Sequence, residues 1–337
     1  MNFFEAMFDL NKIKTIAIIR RNGLGDLLCS FPLINFLKEL NPEAKITLFV
    51  DERNAPLLKY LPPVEQVILF PKSGNKYFNH LSMAFRHRSQ KFDLAISAKT
   101  SPMKLMNFFL YFLGAKYRLA VTNQSWHSRL INCKVAYNQE IAIQTHQALK
   151  SLRLISPSLT EILPQWKPTC TIPDTMAMEY SIPLEKEDHK WLFISATTTQ
   201  QSNRIDAKKY AQIVNHICSE FPFKVLLIAQ REDKQRALEI ASHLKEGFTL
   251  HFTRNFDEFM VLLGQSELVF VGDGGVGHLS AALSKKAVVL FGGVDPVQWA
   301  PLNSLVTPLY HSKNVNEIDE EKIILALKDH ARNIYRN

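Results

Sequence analysis

The chain has 337 residues, 46% hydrophobic and 21% charged; this exceeds the roughly 250–300 residues at which one core stops growing, so two domains are expected and a disordered chain is excluded. No run of about 18 apolar residues could span a bilayer, the N-terminus lacks a secretion-signal pattern, and Cys29, Cys133, Cys170 and Cys218 show no metal-like spacing, so a cytosolic protein without a metal site is expected. The net charge of +8 is uneven: residues 1–170 hold 22 Lys and Arg against 11 Asp and Glu, whereas residues 171–337 hold 18 against 21, so the first half suits docking to something anionic.

Lys14–Arg20 (KTIAIIR) is a short apolar run of the kind buried in a parallel sheet. It ends at Asn22-Gly23-Leu24-Gly25, and Asp26–Leu40 then carries a helical stripe at Leu27, Phe31, Ile34 and Leu37. Further strands are predicted at Lys45–Val50, Gln66–Phe70, Asp93–Ala98 and Tyr117–Val121, with helical stretches between most of them. A proline-bearing polar stretch from Ser156 to Asp188 reads as a connection. The rhythm then restarts, with strands at Lys190–Ser195, Lys224–Ala229, Thr249–Phe252, Leu268–Gly272 and Ala287–Phe291, and a closing amphipathic segment at Val315–Tyr335. Alternation of this kind implies βαβ units and two α/β, Rossmann-like domains in tandem. The predicted boundaries are a first domain over 1–165, a linker over 166–188, a second domain over 189–314 and a C-terminal helix over 315–337.

Three strand-to-helix loops carry chemistry. In the first, Arg20–Leu28, a dinucleotide fingerprint would need glycine where Leu28 stands. Asp26 at the helix start is either a capping carboxylate or a general base, and spacing alone favours the cap. The second loop, Val271-Gly272-Asp273-Gly274-Gly275-Val276-Gly277-His278, has four glycines in six positions, which suits backbone amides approaching a diphosphate. The third, Ala196–Arg204, offers hydroxyls and a guanidinium to phosphate oxygens, although an ordinary capped polar loop explains it almost as well. No phosphate loop of the GxxxxGK[ST] type, no HExxH and no DxD pair is present. A nicotinamide-dependent oxidoreductase is kept open only by Gly23-Leu24-Gly25 and by Asp51 near the end of the second strand.

Two long segments, IIRRNGLGDLLCSFPLINFLKELNPEAKITLFVDERNAPLL and VFVGDGGVGHLSAALSKKAVVLFGGVDPVQWAPL, resemble glycosyltransferase family 9, the heptosyltransferases that build the lipopolysaccharide inner core. The first is similar to the family's opening strand, arginine, small-residue turn and Gly-Asp. The second is similar to its Asp-Ser/Thr-Gly-x-x-His-Leu-x-Ala-Ala-Leu run and Pro-x-x-Trp-x-Pro close. The resemblance covers about residues 14–305 and implies a GT-B fold of two Rossmann-like domains facing across a cleft. It also implies an inverting, metal-independent transfer, needing no cofactor, from a nucleotide-sugar donor such as ADP-heptose to an anionic lipopolysaccharide-core acceptor.

Carried over by position, the catalytic aspartate is Asp26. The donor-binding residues are Thr198, Thr199, Arg204, Glu232, Asp273, Gly274, Gly275 and His278. Two departures stand out: Gly274 replaces a Thr or Ser common in the family, and Asn203 replaces a Lys. They motivate an alternative, a non-catalytic nucleotide- or glycan-binding member of the same fold. The basic first half then has a target in the acceptor, with Lys72, Lys76, Arg86, Arg88, Lys99 and Arg118 as candidate contacts. A nucleic-acid partner is not expected. Peripheral contact with the cytoplasmic face of the inner membrane could involve Met1–Leu10, for which packing against the domain is an equal alternative. For Met103–Leu113 a buried helix is the favoured reading over membrane contact.

Overall fold

The computed structural model describes residues 9–183, 189–198 and 200–336. They form two compact units that divide between Pro168 and Thr169. Within the first, β1 (Thr15–Arg20), β2 (Lys45–Asp51), β3 (Gln66–Phe70), β4 (Leu94–Ser97), β5 (Tyr117–Thr122) and β6 (Cys133–Ala136) form a parallel sheet in the order β3-β2-β1-β4-β5-β6. Within the second, β7 (Lys190–Ser195), β8 (Phe223–Ala229), β9 (Phe248–Phe252), β10 (Leu268–Gly272), β11 (Lys286–Phe291) and β12 (Val306–Tyr310) are ordered β12-β11-β10-β7-β8-β9, again parallel. Both are the doubly wound order, so the expected pair of Rossmann-like α/β units of the GT-B kind is present.

The first unit carries helices α1 (Leu24–Leu28), α2 (Phe31–Leu40), α3 (Ala55–Leu58), α4 (Lys76–His87), α5 (Lys104–Leu113), α6 (Gln139–Gln144) and α7 (Gln147–Leu152). The second carries α8 (Asp174–Tyr180), α9 (Ala207–Glu220), α10 (Lys234–His243), α11 (Phe256–Gln265), α12 (Gly275–Ala282), α13 (Pro296–Trp299) and α14 (Glu320–Tyr335). Central strands are apolar on both faces because helices cover both: Ile16, Ala17, Ile18 and Ile19 in β1 are all buried, as are Leu192, Phe193 and Ile194 in β7. No helix among the described residues is long and apolar enough to cross a membrane.

Several elements differ from the sequence expectation. The stripe over 26–40 is two helices, not one: Ser30 Oγ donates to the Asp26 carbonyl at 3.0 Å, and Pro32 opens α2, where it lacks a donor that the helix start does not need. Strands β6 and β12 were not anticipated. Both are edge strands with only one buried residue each, and Pro308 in β12 sits where an edge tolerates it, so neither presents an apolar run. The polar stretch after Ser156 is not a bare connection. Trp166 packs edge-on to Phe36 at 4.7 Å and its Nε1 donates to Glu39 at 2.7 Å, fixing this segment to α2. Ile172 packs against Gly264 of α11, where an added Cβ would lie 2.2 Å from Ile172 Cδ1. Met103–Leu113 forms α5, with Leu105, Met106, Phe109, Leu110 and Leu113 buried. Residues 1–8 of the Met1–Leu10 segment lie outside the described residues; Leu10 itself starts a short 3-10 turn.

One buried hydroxyl joins strands at the reversal of the second sheet. Tyr210 of α9 donates to the Phe270 carbonyl of β10 and accepts the Ser195 N–H of β7 at 3.3 Å. Removing it strands two backbone groups inside the core. Tyr210→Phe is therefore expected to lower stability by about 1–3 kcal/mol with the ring packing kept, measured as a shift in the urea midpoint at unchanged slope.

Candidate active site

Because the strands of each sheet are parallel, their carboxyl ends share one edge. The strand order reverses between β1 and β4 in the first sheet and between β7 and β10 in the second. Connections leaving these pairs go to opposite faces and open a crevice at that edge, the usual ligand position in open α/β sheets.

At the first reversal, Arg20 is the last residue of β1 and is only 2% exposed. Its Nε donates to the Asp26 carbonyl at 3.0 Å, Nη1 to the Ala98 carbonyl beyond β4 and Nη2 to Asp26 Oδ1. The other carboxylate oxygen accepts the Gly23 N–H at 3.3 Å, as an acid three residues into a helix does. Asp26 is thus a cap, and its side chain keeps 19% of its surface open. Arg20 was missed by the sequence reasoning; the signal available was a charged residue closing a buried strand.

A second network holds the turn. Asn22 adopts a left-handed φ of 94°, and its N–H is bound by Asp51 Oδ2 at 2.8 Å. Arg21 reaches Asp51 Oδ1 at 2.6 Å and Arg53 reaches Oδ2 at 3.1 Å. Burial alone would raise the Asp51 pKa, but the Asn22 amide and Arg21 hold it below the ordinary carboxylate value. With three donors spent on it, Asp51 is not available to a ribose, and the nicotinamide reading loses its acid. Arg21 also donates to His80 Nε2 at 2.7 Å, while His80 Nδ1 donates to the Lys76 carbonyl. Burial pushes the His80 pKa down to about 4, so the imidazole is neutral, as this bonding requires.

The expected acceptor contacts separate into two groups. Lys72 and Lys76 follow the carboxyl end of β3 and Lys99 follows that of β4, on the edge that holds Asp26. Arg86, Arg88 and Arg118 lie toward the opposite edge. Arg86 ends α4, Arg88 packs against Gly114 before β5, and Arg118 is spent on the Leu130 and Ala115 carbonyls at 2.9 Å each. Lys150, not singled out from the sequence, lies in α7 electrostatically close to Arg20 and Lys99. Burial, with Arg20 next in importance, brings its ammonium down to about 8; burial and Arg20 likewise lower the Lys99 pKa.

At the second reversal three loops press together, and Asn203 joins them. This side chain is 1% exposed. Its Nδ2 donates to the Asp273 carbonyl at 3.0 Å and to Asp273 Oδ2 at 3.1 Å, and its Oδ1 accepts Gly292 N–H at 3.0 Å and Gly293 N–H at 2.8 Å. Asn203 is therefore an internal clamp and not a stand-in for a ligand-facing lysine. The same residue requires Gly272, where a Cβ would lie 2.1 Å from the Asn203 carbonyl oxygen; separately, one on Gly277 would lie 3.0 Å from the Val289 side chain. Gly274 faces open space, with nothing within 4 Å of an added Cβ.

Gly274 caps α12, whose first-turn N–H groups, from Gly275 onward, have no intrahelical acceptor. Unpaired amides at a helix start suit an anion. The Gly274 amide itself is taken by the Asp273 carboxylate. His278 is buried one turn into α12. In the hydroxyl loop, Thr197 Oγ1 donates to Asp233 at 2.7 Å and accepts Gln230 N–H at 3.1 Å, while Thr198 remains half-exposed. Asp233 is thus the acid engaged by this loop, whereas the expected Glu232 is exposed beside it. Arg204 is exposed, and Arg236 staples the loop through the Ala196 and Ile205 carbonyls. Thr199 lies outside the described residues.

The sequence model of glycosyltransferase family 9 (heptosyltransferase) matches residues 81–326. A Campylobacter coli lipopolysaccharide heptosyltransferase 1 is 22% identical over 290 residues, covering 82% of this chain and 83% of that protein. The solved family 9 glycosyl transferase of Veillonella parvula superposes with a TM-score of 0.79 at 13% identity, covering 97% of this chain and 99% of the other. The Escherichia coli ADP-heptose lipopolysaccharide heptosyltransferase II gives 0.76 at 17% identity over 95% and 99%.

Two outcomes follow from the clamp. Gly272→Ala should cost about 1–3 kcal/mol because backbone fills the space, while Gly274→Ala should stay within about 0.5 kcal/mol; denaturant titration of both variants measures the contrast. Burial raises Asp273 from 3.8 to about 6, so between these values the folded chain holds a proton that the unfolded chain has lost. Its contribution to stability therefore falls as pH rises through that window, by about 3 kcal/mol in all. Asp273→Asn should remove this slope from the difference between urea curves taken near pH 4 and pH 7.

Proposed function

Since the chain belongs to glycosyltransferase family 9 (heptosyltransferase), we propose that it moves a heptose from an ADP-activated donor to the inner core of lipopolysaccharide. The transfer is inverting and metal-independent. The observation that carries this reading is Asp26: a carboxylate aimed by Arg20 and the Gly23 amide at the reversal of the first sheet, still open to solvent. The names of the relatives support it, since one is a lipopolysaccharide heptosyltransferase and another an ADP-heptose lipopolysaccharide heptosyltransferase.

Asp26 removes the proton from an acceptor hydroxyl as that oxygen attacks the anomeric carbon. The bond from that carbon to the diphosphate breaks, and its electron pair leaves on the phosphate oxygen. The α12 amides from Gly275 onward and Arg204 stabilise the departing charge, an electrostatic contribution separate from proton transfer. Asp273 is held by Asn203 beneath this helix start, Thr198 and Thr199 add hydroxyls, Glu232 lies at the neighbouring loop, and His278 supports α12 from within. Lys72, Lys76 and Lys99, on the same edge as Asp26, meet the carboxylates and phosphates of the acceptor. Such an acceptor is lipid-anchored, so the reaction belongs at the cytoplasmic face of the inner membrane.

The test is incubation with ADP-heptose and core-truncated acceptors, read by product mass. Asp26→Asn should lower turnover by about 10²–10⁴-fold, the usual worth of a general base, with ADP binding by calorimetry unchanged. Near-normal turnover in that variant would remove Asp26 from the chemistry.

A further inference from the structure

Helices α4 and α5 cover one face of the first sheet and pack on each other, with His80, Met83 and Ala84 of α4 facing inward. Their outward surface is unusual. Tyr77, Phe78, Phe85 and Tyr111 are 65%, 70%, 54% and 45% exposed, and Trp126 in the turn after β5 is 59% exposed. Phe85, Tyr111 and Trp126 are joined through Phe112 and Phe108: Phe85 meets Phe112 at 4.9 Å, Tyr111 meets Phe112 at 5.4 Å, Phe112 meets Phe108 at 6.2 Å and Phe108 meets Trp126 at 5.7 Å, and Phe78 stands two turns before Phe85 on α4. Single exposed hydrophobic residues are ordinary, whereas a contiguous apolar patch marks a contact site. The sequence expectation of a buried helix at 103–113 holds for one face of α5 and misses the other.

Charge identifies what the patch contacts. Between Glu65 and Glu140 the chain has 11 Lys and Arg and a single acid, Asp93. That acid is occupied, accepting the Lys14 and Thr15 amides and the Thr15 hydroxyl. The Lys104 ammonium lies 5.6 Å from the Trp126 ring centre, while Lys76 and Arg86 are exposed beside the rings on α4. Aromatic rings seated at the headgroup level and cations meeting lipid phosphates are the two components of interfacial binding.

We propose that the outward surface of α4, α5 and Trp126 docks the chain on a bilayer containing anionic phospholipid. A second copy of the chain fits poorly, because two such basic surfaces repel each other. A single-stranded nucleic acid fits poorly too, because Phe85, Phe112 and Phe108 pack on one another and leave no row of open ring faces for bases. Tyr77, Lys104 and Trp126 follow the carboxyl ends of β3, β4 and β5, the edge that holds Asp26. A lipid-anchored acceptor would thus arrive at the reacting edge. That last step rests on the proposed function, whereas the docking itself does not.

The test is co-sedimentation of the full chain with vesicles of phosphatidylcholine alone or with about a third phosphatidylglycerol. Binding should require phosphatidylglycerol, weaken with added salt, and fall at least about tenfold in the Phe78→Ser/Phe85→Ser variant. Thermal unfolding of that variant should match the parent. If it does not fold, Arg86→Glu/Lys104→Glu provides the same comparison. Equal binding by parent and variant, equal binding to neutral vesicles, or no binding at all would overturn the proposal. So would a dimer that the serine variant dissociates, or displacement of the chain from vesicles by an oligonucleotide only at the patch. Transfer to a delipidated, soluble acceptor separates the two readings, because its absence with vesicle binding intact removes the heptosyltransferase proposal and leaves the docking surface standing.

Discussion

Both units depend on one constraint, the satisfaction of backbone polar groups where a parallel sheet reverses its strand order. At that point neighbouring strands part, the ladder ends, and carbonyl and amide groups inside the core need new partners. Arg20 supplies them in the first unit, through the Ala98 and Asp26 carbonyls. Tyr210 and Asn203 supply them in the second, through Ser195, Phe270, Asp273, Gly292 and Gly293. The same side chains that complete the backbone bonding also set the positions of Asp26 and Asp273. Site geometry here is a consequence of closing the core.

The two halves use opposite electrostatic means. The first concentrates side-chain cations, 22 basic against 11 acidic residues, and partly buries Lys99 and Lys150 near its crevice, where burial raises the cost of keeping them charged. An anionic group arriving there would relieve that cost. The second half has a net negative balance, and at its crevice a buried aspartate sits beside the helix start. Close packing fixes the glycines there: a Cβ on Gly272 would meet the Asn203 carbonyl oxygen at 2.1 Å, and one on Gly277 would press on the Val289 side chain at 3.0 Å.

The alternation of apolar runs and helical stripes made the two Rossmann-like units legible, and the Gly-Asp and Asp-Gly-Gly turns marked both crevices. These features are local: a buried parallel strand must be apolar on both faces, and a chain approaching a helix start closely must shed its side chains. Edge strands β6 (CKVA) and β12 (VTPLY) were not legible because neither carries an apolar run, unlike the edge strand β3 (QVILF). The break at Cys29–Ser30 was hidden because α1 and α2 together keep one apolar stripe.

The sequence alone determined the class of fold, the alternation of most of its strands and helices, the resemblance to a heptosyltransferase family and the uneven distribution of charge. Tertiary structure decided the partners: Asp51 is saturated by Arg21, Arg53 and Asn22, Asn203 is a clamp, Arg86, Arg88 and Arg118 are separated from Lys72, Lys76 and Lys99, and scattered aromatic residues become one surface. Periodicity records which face of an element is buried, but it carries no information on which distant side chain completes a hydrogen bond. That pairing is fixed only when strands far apart in the chain lie side by side.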